Sequence, residues 1–228
     1  MSVYQFSSHQ EAAEKLYEVL PVSQMQDEDW LLLALSLNAV PIVDYISRKA
    51  DLEYDFLFNE SIFAPNNPLC MIAIVSETEE IVIQEALVES FGINLDFIYG
   101  EAKRKYEESI LKNIYKYRKG ASIPLLTGRN VLLVDDGCES GIRVLVALKT
   151  VISEHVKSAS FAAPIIAQNT ASMLESETDG LYCFSRVANF VSTDFYYKKE
   201  DEFSQEDILK ILEANKRFVS FQKSQGDE

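Results

Sequence analysis

Histidine is almost missing from this 228-residue chain: there are two, His9 and His155, far apart. Catalysis through a histidine base, relay or metal cluster is therefore close to excluded. Cysteine is scarce as well. Cys70, Cys138 and Cys183 show no C-x-x-C spacing, so no zinc cluster can be read from them. Their odd number predicts a reducing, cytoplasmic setting, as does an opening MSVYQFSSHQEA with neither a basic nor an apolar leader region. The longest apolar runs, such as Trp30–Leu35, are far too short to span a bilayer. Positive charge is also in deficit. There are 21 Lys+Arg against 36 Asp+Glu, a formal net charge of −15. Affinity for phosphate backbones comes mainly from Lys and Arg, so nucleic acid is excluded as a general partner. An anionic membrane held by charge is excluded for the same reason.

What is present is an ordinary globular composition, 47% hydrophobic and 25% charged. The length suits one α/β domain covering residues 1–228. No internal repeat or flexible linker interrupts it. The chemistry left open is that of carboxylates, hydroxyls, backbone amides and metal ions.

The apolar periodicity predicts helices over His9–Leu20, Val40–Lys49, Glu79–Phe91, Glu101–Arg118, about 141–155 and Asp207–Phe218, the last behind a Ser204 cap. It predicts strands over Trp30–Leu35, Tyr54–Asn59, Cys70–Val75, Val131–Val134, Ser160–Ala167 and Gly180–Ser185. Pro65 and Pro68, with Asn66 and Asn67 between them, force a turn. Alternating strands and helices imply a central parallel sheet flanked by helices. Eight of the 21 basic residues fall between Lys103 and Arg129.

The informative stretch is Asn130–Val144, NVLLVDDGCESGIRV. Four consecutive apolar residues bounded by turn signals describe a strand buried on both faces. Ligands of open parallel sheets bind beyond the carboxyl ends of the strands, where Asp135 and Asp136 stand. Two adjacent carboxylates repel one another. Accepting hydrogen bonds from the vicinal hydroxyls of a sugar, or holding Mg²⁺ beside it, gives them a reason to be there. The loop of Gly137, Cys138, Glu139, Ser140 and Gly141 then runs into a helix N-terminus. Free amides and the helix dipole make that an anion site suited to a phosphate. Together these features describe a ribose 5-phosphate pocket.

This motif resembles that of type I phosphoribosyltransferases: an apolar strand, two acidic residues, a short loop, then Thr-Gly-x-Thr. Further collinear fragments extend the resemblance to a group of uncharacterised bacterial members. Ser36-Leu37-Asn38-Ala39-Val40-Pro41-Ile42 stands where they carry Pro-Arg-Gly-Gly-Val-Pro-Val. Phe63-Ala64-Pro65-Asn66-Asn67-Pro68 stands for Gly-Ala-Pro-Gly-Asn-Pro, and Tyr117-Arg118-Lys119-Gly120 for Tyr-Arg-Gly-Gly. Phe195-Tyr196-Tyr197 leads on to Phe203-Ser204-Gln205, like their aromatic and Phe-Ser-Gln segment.

The resemblance implies a type I phosphoribosyltransferase-like α/β fold with a small hood, built from the N-terminal segment and about 184–205. It implies ribose-binding, catalytic and Mg²⁺-binding roles for Asp135 and Asp136. Gly137, Cys138, Glu139, Ser140 and Gly141 would hold the 5′-phosphate. Ser36, Leu37, Asn38 and Ala39 would form the pyrophosphate loop, and Arg118 and Lys119 a mobile loop over the diphosphate. The partner would be phosphoribosyl diphosphate or a nucleoside monophosphate, and a homodimer is common in the superfamily.

Three departures stand out. Arg143 replaces the second Thr, either to bind phosphate or to point away. Glu139 puts a negative charge beside the phosphate cradle. Leu37, Asn38 and Ala39 remove the Arg and glycines of the pyrophosphate loop. Two functions follow: an enzyme transferring a 5-phosphoribosyl group to a nitrogen base, or a non-catalytic protein of the same fold that binds a nucleotide or sugar phosphate.

Overall fold

The computed structural model of the protein describes residues 4–198 and 203–220. The first part of the chain carries α1 (His9–Tyr17), α2 (Val22–Asp27), β1 (Trp30–Ala34), α3 (Val40–Ala50), β2 (Glu53–Phe56), β3 (Asn59–Ala64), β4 (Asn67–Ser76) and β5 (Ile81–Ile83). Then come α4 (Glu85–Ser90), α5 (Leu95–Lys105), α6 (Leu111–Arg118), β6 (Asn130–Val134), α7 (Ile142–Ser153), β7 (Ser158–Ala167), α8 (Gln168–Leu174), β8 (Gly180–Val187) and α9 (Gln205–Ala214). A π-helical turn over Tyr106–Ile110 joins α5 to α6.

Five strands form one parallel sheet in the order β2-β1-β6-β7-β8. β1 and β6 lie inside it, and every residue of both is buried. Successive side chains of a strand point to opposite faces, and here both faces are covered. Leu31, Leu33, Val131 and Leu133 pack on the side of Val144, Ala147 and Val151 from α7. Leu32, Ala34, Leu132 and Val134 pack on the other side, with Ala12 and Leu16 of α1 and Val43 and Ile46 of α3. Each fully buried Leu or Val contributes about 1.5–3 kcal/mol, so these two strands are held firmly. Among the described residues no helix is long and apolar enough to cross a membrane.

A second, antiparallel sheet, β3-β4-β5, lies outside the main one. Several expectations change here. The strand expected over 54–59 ends at Phe56, and a new strand begins at Asn59. The helix expected over Glu79–Phe91 is a strand at Ile81–Ile83 followed by the short α4. Its three β-branched residues pair with Ala73–Val75 of β4, and that pairing overrides the helical spacing. Pro65 and Asn66 make the expected turn, but Pro68 lies inside β4. The helix expected from Glu101 starts earlier, at Leu95.

The segments assigned to the hood touch one another: Phe6 N–H donates to the Tyr196 carbonyl (2.8 Å), and Tyr4 and Phe184 rings meet edge to face. Residues 199–202 of that assignment lie outside the described residues.

One charged cluster sits inside the core. Arg118, the last residue of α6, has a fully buried side chain that pairs with Glu77 and lies 3.9 Å from Asp55. Its guanidinium also rests 4.9 Å from the centre of the Phe58 ring. Ser220 donates to the second Asp55 oxygen at 2.6 Å, and Phe58 N–H donates to Glu77 at 2.9 Å. Burial pushes both carboxyls upward, against the pull of Arg118. Removing the guanidinium would leave two buried acids without a cation. Arg118→Ala is expected to cost about 3–5 kcal/mol in urea unfolding, with most of it recovered in Asp55→Asn/Glu77→Gln/Arg118→Met. A cost below about 1 kcal/mol would show that the cluster is not a structural pair.

Candidate active site

β1 and β6 are neighbours in register, with Ala34 opposite Val134. The chain leaves both strands at the same edge, so Ser36 and Asp135 emerge side by side. Ser36 Oγ donates to Asp135 Oδ1 at 2.6 Å and lies 3.4 Å from Asp136 Oδ1. The same hydroxyl accepts the Ala39 N–H at 3.1 Å. The expected pyrophosphate loop is thus tied to the acidic pair. Within it Leu37 packs against the core, Asn38 is exposed and Ala39 is buried. No cation belongs to it.

Asp135 is 2% exposed. Its Oδ1 also accepts the Asp136 N–H (3.1 Å), and its Oδ2 accepts from Arg143 Nη1 at 2.7 Å. Asp135 in turn raises the pKa of the Arg143 guanidinium. Asp136 is held well above the usual carboxylate range, first by burial and then by the Asp135 charge and a hydrogen bond with it. Tyr197 fixes the backbone here, donating from its hydroxyl to the Asp136 carbonyl at 2.6 Å.

The loop that follows is not a uniform cradle. Cys138 is stitched to β7: its N–H donates to the Ile165 carbonyl (3.0 Å), and its carbonyl accepts from Ala167 N–H (2.9 Å). Its amide cannot also serve a phosphate, which corrects the expectation for that residue. Burial pushes its thiol up to about 12, far from reactive. Glu139 is exposed at the rim, where it also lines the cavity described below, and its carbonyl accepts from Thr170 Oγ1. Ser140 is exposed at the mouth. Gly141 starts α7 at φ +76°, where a Cβ would come within 2.8 Å of Met173 Cε and 3.0 Å of Thr170 Cγ2. A Cβ on Gly137 would meet Thr193 Cγ2 at 2.7 Å. Both glycines let the loop pass where side chains crowd it.

The first amides of α7 have no intrahelical acceptor. This turn borders a cavity of about 190 Å³ whose lining includes Asp135, Gly137, Glu139, Ser140, Gly141, Ile142 and Arg143. Sequence reasoning missed four lining residues from other segments: Ser61 of β3, Met71 and Ile74 of β4, and Thr193. They come from distant segments, and no local signal marks them.

Arg118 is not at this site. Its charge is engaged by Glu77 and Asp55 in the core, which corrects its assignment to a mobile loop over the diphosphate. Lys119, next to it, is exposed in a left-handed turn at φ 53°. Tyr196 and Tyr197 are core residues, whereas Phe195 is 41% exposed. His155 closes α7 in a left-handed conformation, accepting Gly128 N–H.

The donor set does not suit a resident Mg²⁺. Such an ion binds free carboxylate oxygens. Asp135 already holds Arg143, Ser36 and an amide, and Asp136 is buried outside the cavity lining. Among the described residues no group of three or more acidic, histidine or cysteine side chains forms a metal site.

No family model matches the chain. Proteins from Mycobacterium tuberculosis strains CDC 1551 / Oshkosh and ATCC 25618 / H37Rv, both named "putative phosphoribosyl transferase", are each 21% identical over 197 residues. That alignment covers 86% of this chain and 44% of theirs, so the chain spans less than half the length of the curated relatives it matches. The crystal structure of TT1426 from Thermus thermophilus superposes with a TM-score of 0.71 at 24% identity, over 91% of this chain and 97% of that one. A purine phosphoribosyltransferase from Pyrococcus horikoshii Ot3 gives a TM-score of 0.46 at 13% identity, over 89% and 95%. The chain shares its α/β fold, a five-stranded parallel sheet flanked by helices, with the Thermus thermophilus protein. In sequence it is similar to proteins named for phosphoribosyl transfer.

The raised pKa of Asp136 has a definite sign in stability. Its folded pKa lies above its unfolded value, so its stabilising contribution is full at low pH. That contribution is lost as pH rises through the folded value. Asp136→Asn, which mimics the neutral acid, is expected to melt above the wild type at pH 8, with the gap closing as pH falls toward about 4. Thermal melts across that range check it, and a gap that does not change with pH would contradict it.

Proposed function

We propose that this chain is a phosphoribosyltransferase. It takes the 5-phosphoribosyl group of phosphoribosyl diphosphate and passes it to a ring nitrogen of a base whose identity is open. The observation that carries the reading is the placement of Asp135 and Asp136. They follow the carboxyl end of a buried central strand, and Asp135 lines a small cavity together with the first turn of α7.

Each group has a distinct task. A carboxylate has about four acceptor sites. Asp135 uses three, on Ser36, the Asp136 amide and Arg143, which leaves one for a ribose hydroxyl. The amides from Ser140 into α7 hold the 5′-phosphate with the helix dipole. As the bond from C1 of the ribose to the diphosphate breaks and a bond to nitrogen forms, positive charge grows on the ring. The fixed Asp135 carboxylate lies in a dry site and stabilises that charge. Holding the donor in line supplies the rest of the rate. Mg²⁺ enters as the counter-ion of the diphosphate substrate. Of the two cations expected over that group, only Lys119 is exposed.

The test is diphosphate release from phosphoribosyl diphosphate and Mg²⁺, with a panel of purine and pyrimidine bases. Release is expected with at least one base, and Asp135→Asn is expected to slow it by about 100-fold or more. Release that is unchanged in Asp135→Asn, or absent with every base, would overturn the transferase reading.

A further inference from the structure

We propose that Arg143 is the resident cation of the Asp135 site. It bridges Asp135 to the phosphate of a bound sugar phosphate, so the ligand binds there without a divalent metal. This rests on the ribose-phosphate reading above and adds to it which cation the site uses.

The geometry of Asp135 comes first. Oδ2 holds Arg143 Nη1 at 2.7 Å, while Oδ1 holds Ser36 Oγ at 2.6 Å and the Asp136 amide at 3.1 Å. Mg²⁺ requires oxygen ligands at about 2.0–2.1 Å in a near-ideal octahedron. An ion at Oδ2 would share that oxygen with a guanidinium that already supplies positive charge there. The place of the metal is taken by part of the chain.

The second observation is what the guanidinium has left over. It carries five N–H donors in a fixed planar fork, and the hydrogen bond to Asp135 uses one. Its side chain is 40% exposed and lines the cavity beside Ser140, Gly141 and Ile142. Arg143 stands on the first turn of α7, so its remaining donors share the cavity with the unpaired amides of the same turn. A divalent ion at such a site would join carboxylate to phosphate. A guanidinium with one arm on the carboxylate and free donors toward an anion makes the same bridge, with better geometry for phosphate than a point charge. In the motif that this chain resembles, a threonine stands here. A hydroxyl can contact phosphate but cannot balance the charge of Asp135.

Ribose 5-phosphate is the probe, titrated calorimetrically into the whole protein in millimolar Mg²⁺ and in excess EDTA. The wild type is expected to give dissociation constants agreeing within about twofold in the two buffers. Arg143→Thr is expected to bind about tenfold or more weaker in EDTA and to recover part of that in Mg²⁺. Arg143→Lys falls between, since it keeps the charge and loses the fork. A tenfold loss for the wild type in EDTA, or unchanged binding by Arg143→Thr there, would overturn the proposal. Thermal melts with Mg²⁺ alone give a second readout that needs no sugar phosphate. The wild-type Tm should not respond, and the Arg143→Thr Tm should rise. A wild-type Tm that rises with Mg²⁺ and stops doing so in Asp135→Asn would refute the role of Arg143 even if ribose 5-phosphate binds in neither buffer. Absence of ribose 5-phosphate binding in both buffers, by contrast, sinks the ribose-phosphate reading itself.

Discussion

The site depends on the hydrogen bonding of one carboxylate. Asp135 joins three pieces of chain: the loop after β1, remote in sequence, through Ser36, the end of β6 that it follows, and the first turn of α7 through Arg143. A buried carboxylate without such partners would be driven to its neutral form. Here it is bonded through both oxygens at the mouth of a cavity, while burial and the Asp135 charge push the neighbouring Asp136 upward. The difference between two adjacent aspartates therefore comes from their surroundings.

The framework around this pair is rigid where it needs to be. β1 and β6 are covered on both faces, which sets the positions of Ser36 and Asp135 to within the tolerance of a packed core. Gly137 and Gly141 permit the loop to turn tightly under Thr193 and Met173. The Arg118–Glu77–Asp55 cluster anchors the end of α6 against β2 and the end of β4. It is a structural use of charge, in contrast to the half-exposed Arg143.

Much of this is legible in the sequence, and the limits have physical causes. Val131–Val134 and the following Asp135-Asp136-Gly137 announce a buried strand ending in a ligand site, because burial on both faces leaves a continuous apolar run. The Ser204 cap is equally plain and forms a capping box. Ile81–Ile83 is ambiguous locally, and only its pairing with β4 decides it. β3 escapes the sequence pattern because its side chains are mostly half-buried, which blurs the alternation. Arg118 reads as a loop cation because its partners, Asp55 and Glu77, lie in other segments, and one residue gives no sign of them. Arg143 has two readings in the sequence, phosphate ligand or outward side chain. The structure shows it turned onto Asp135.

The most direct test of the central claim is an amide nitrogen–proton NMR titration of the isotopically labelled protein with ribose 5-phosphate. The account predicts that the largest shifts fall on the amides of Ser140, Gly141, Ile142 and Arg143, with Asp136 and Gly137 following and the outer face of α3 unmoved. Shifts confined to other surfaces, with the α7 N-terminus unchanged at saturation, would contradict it.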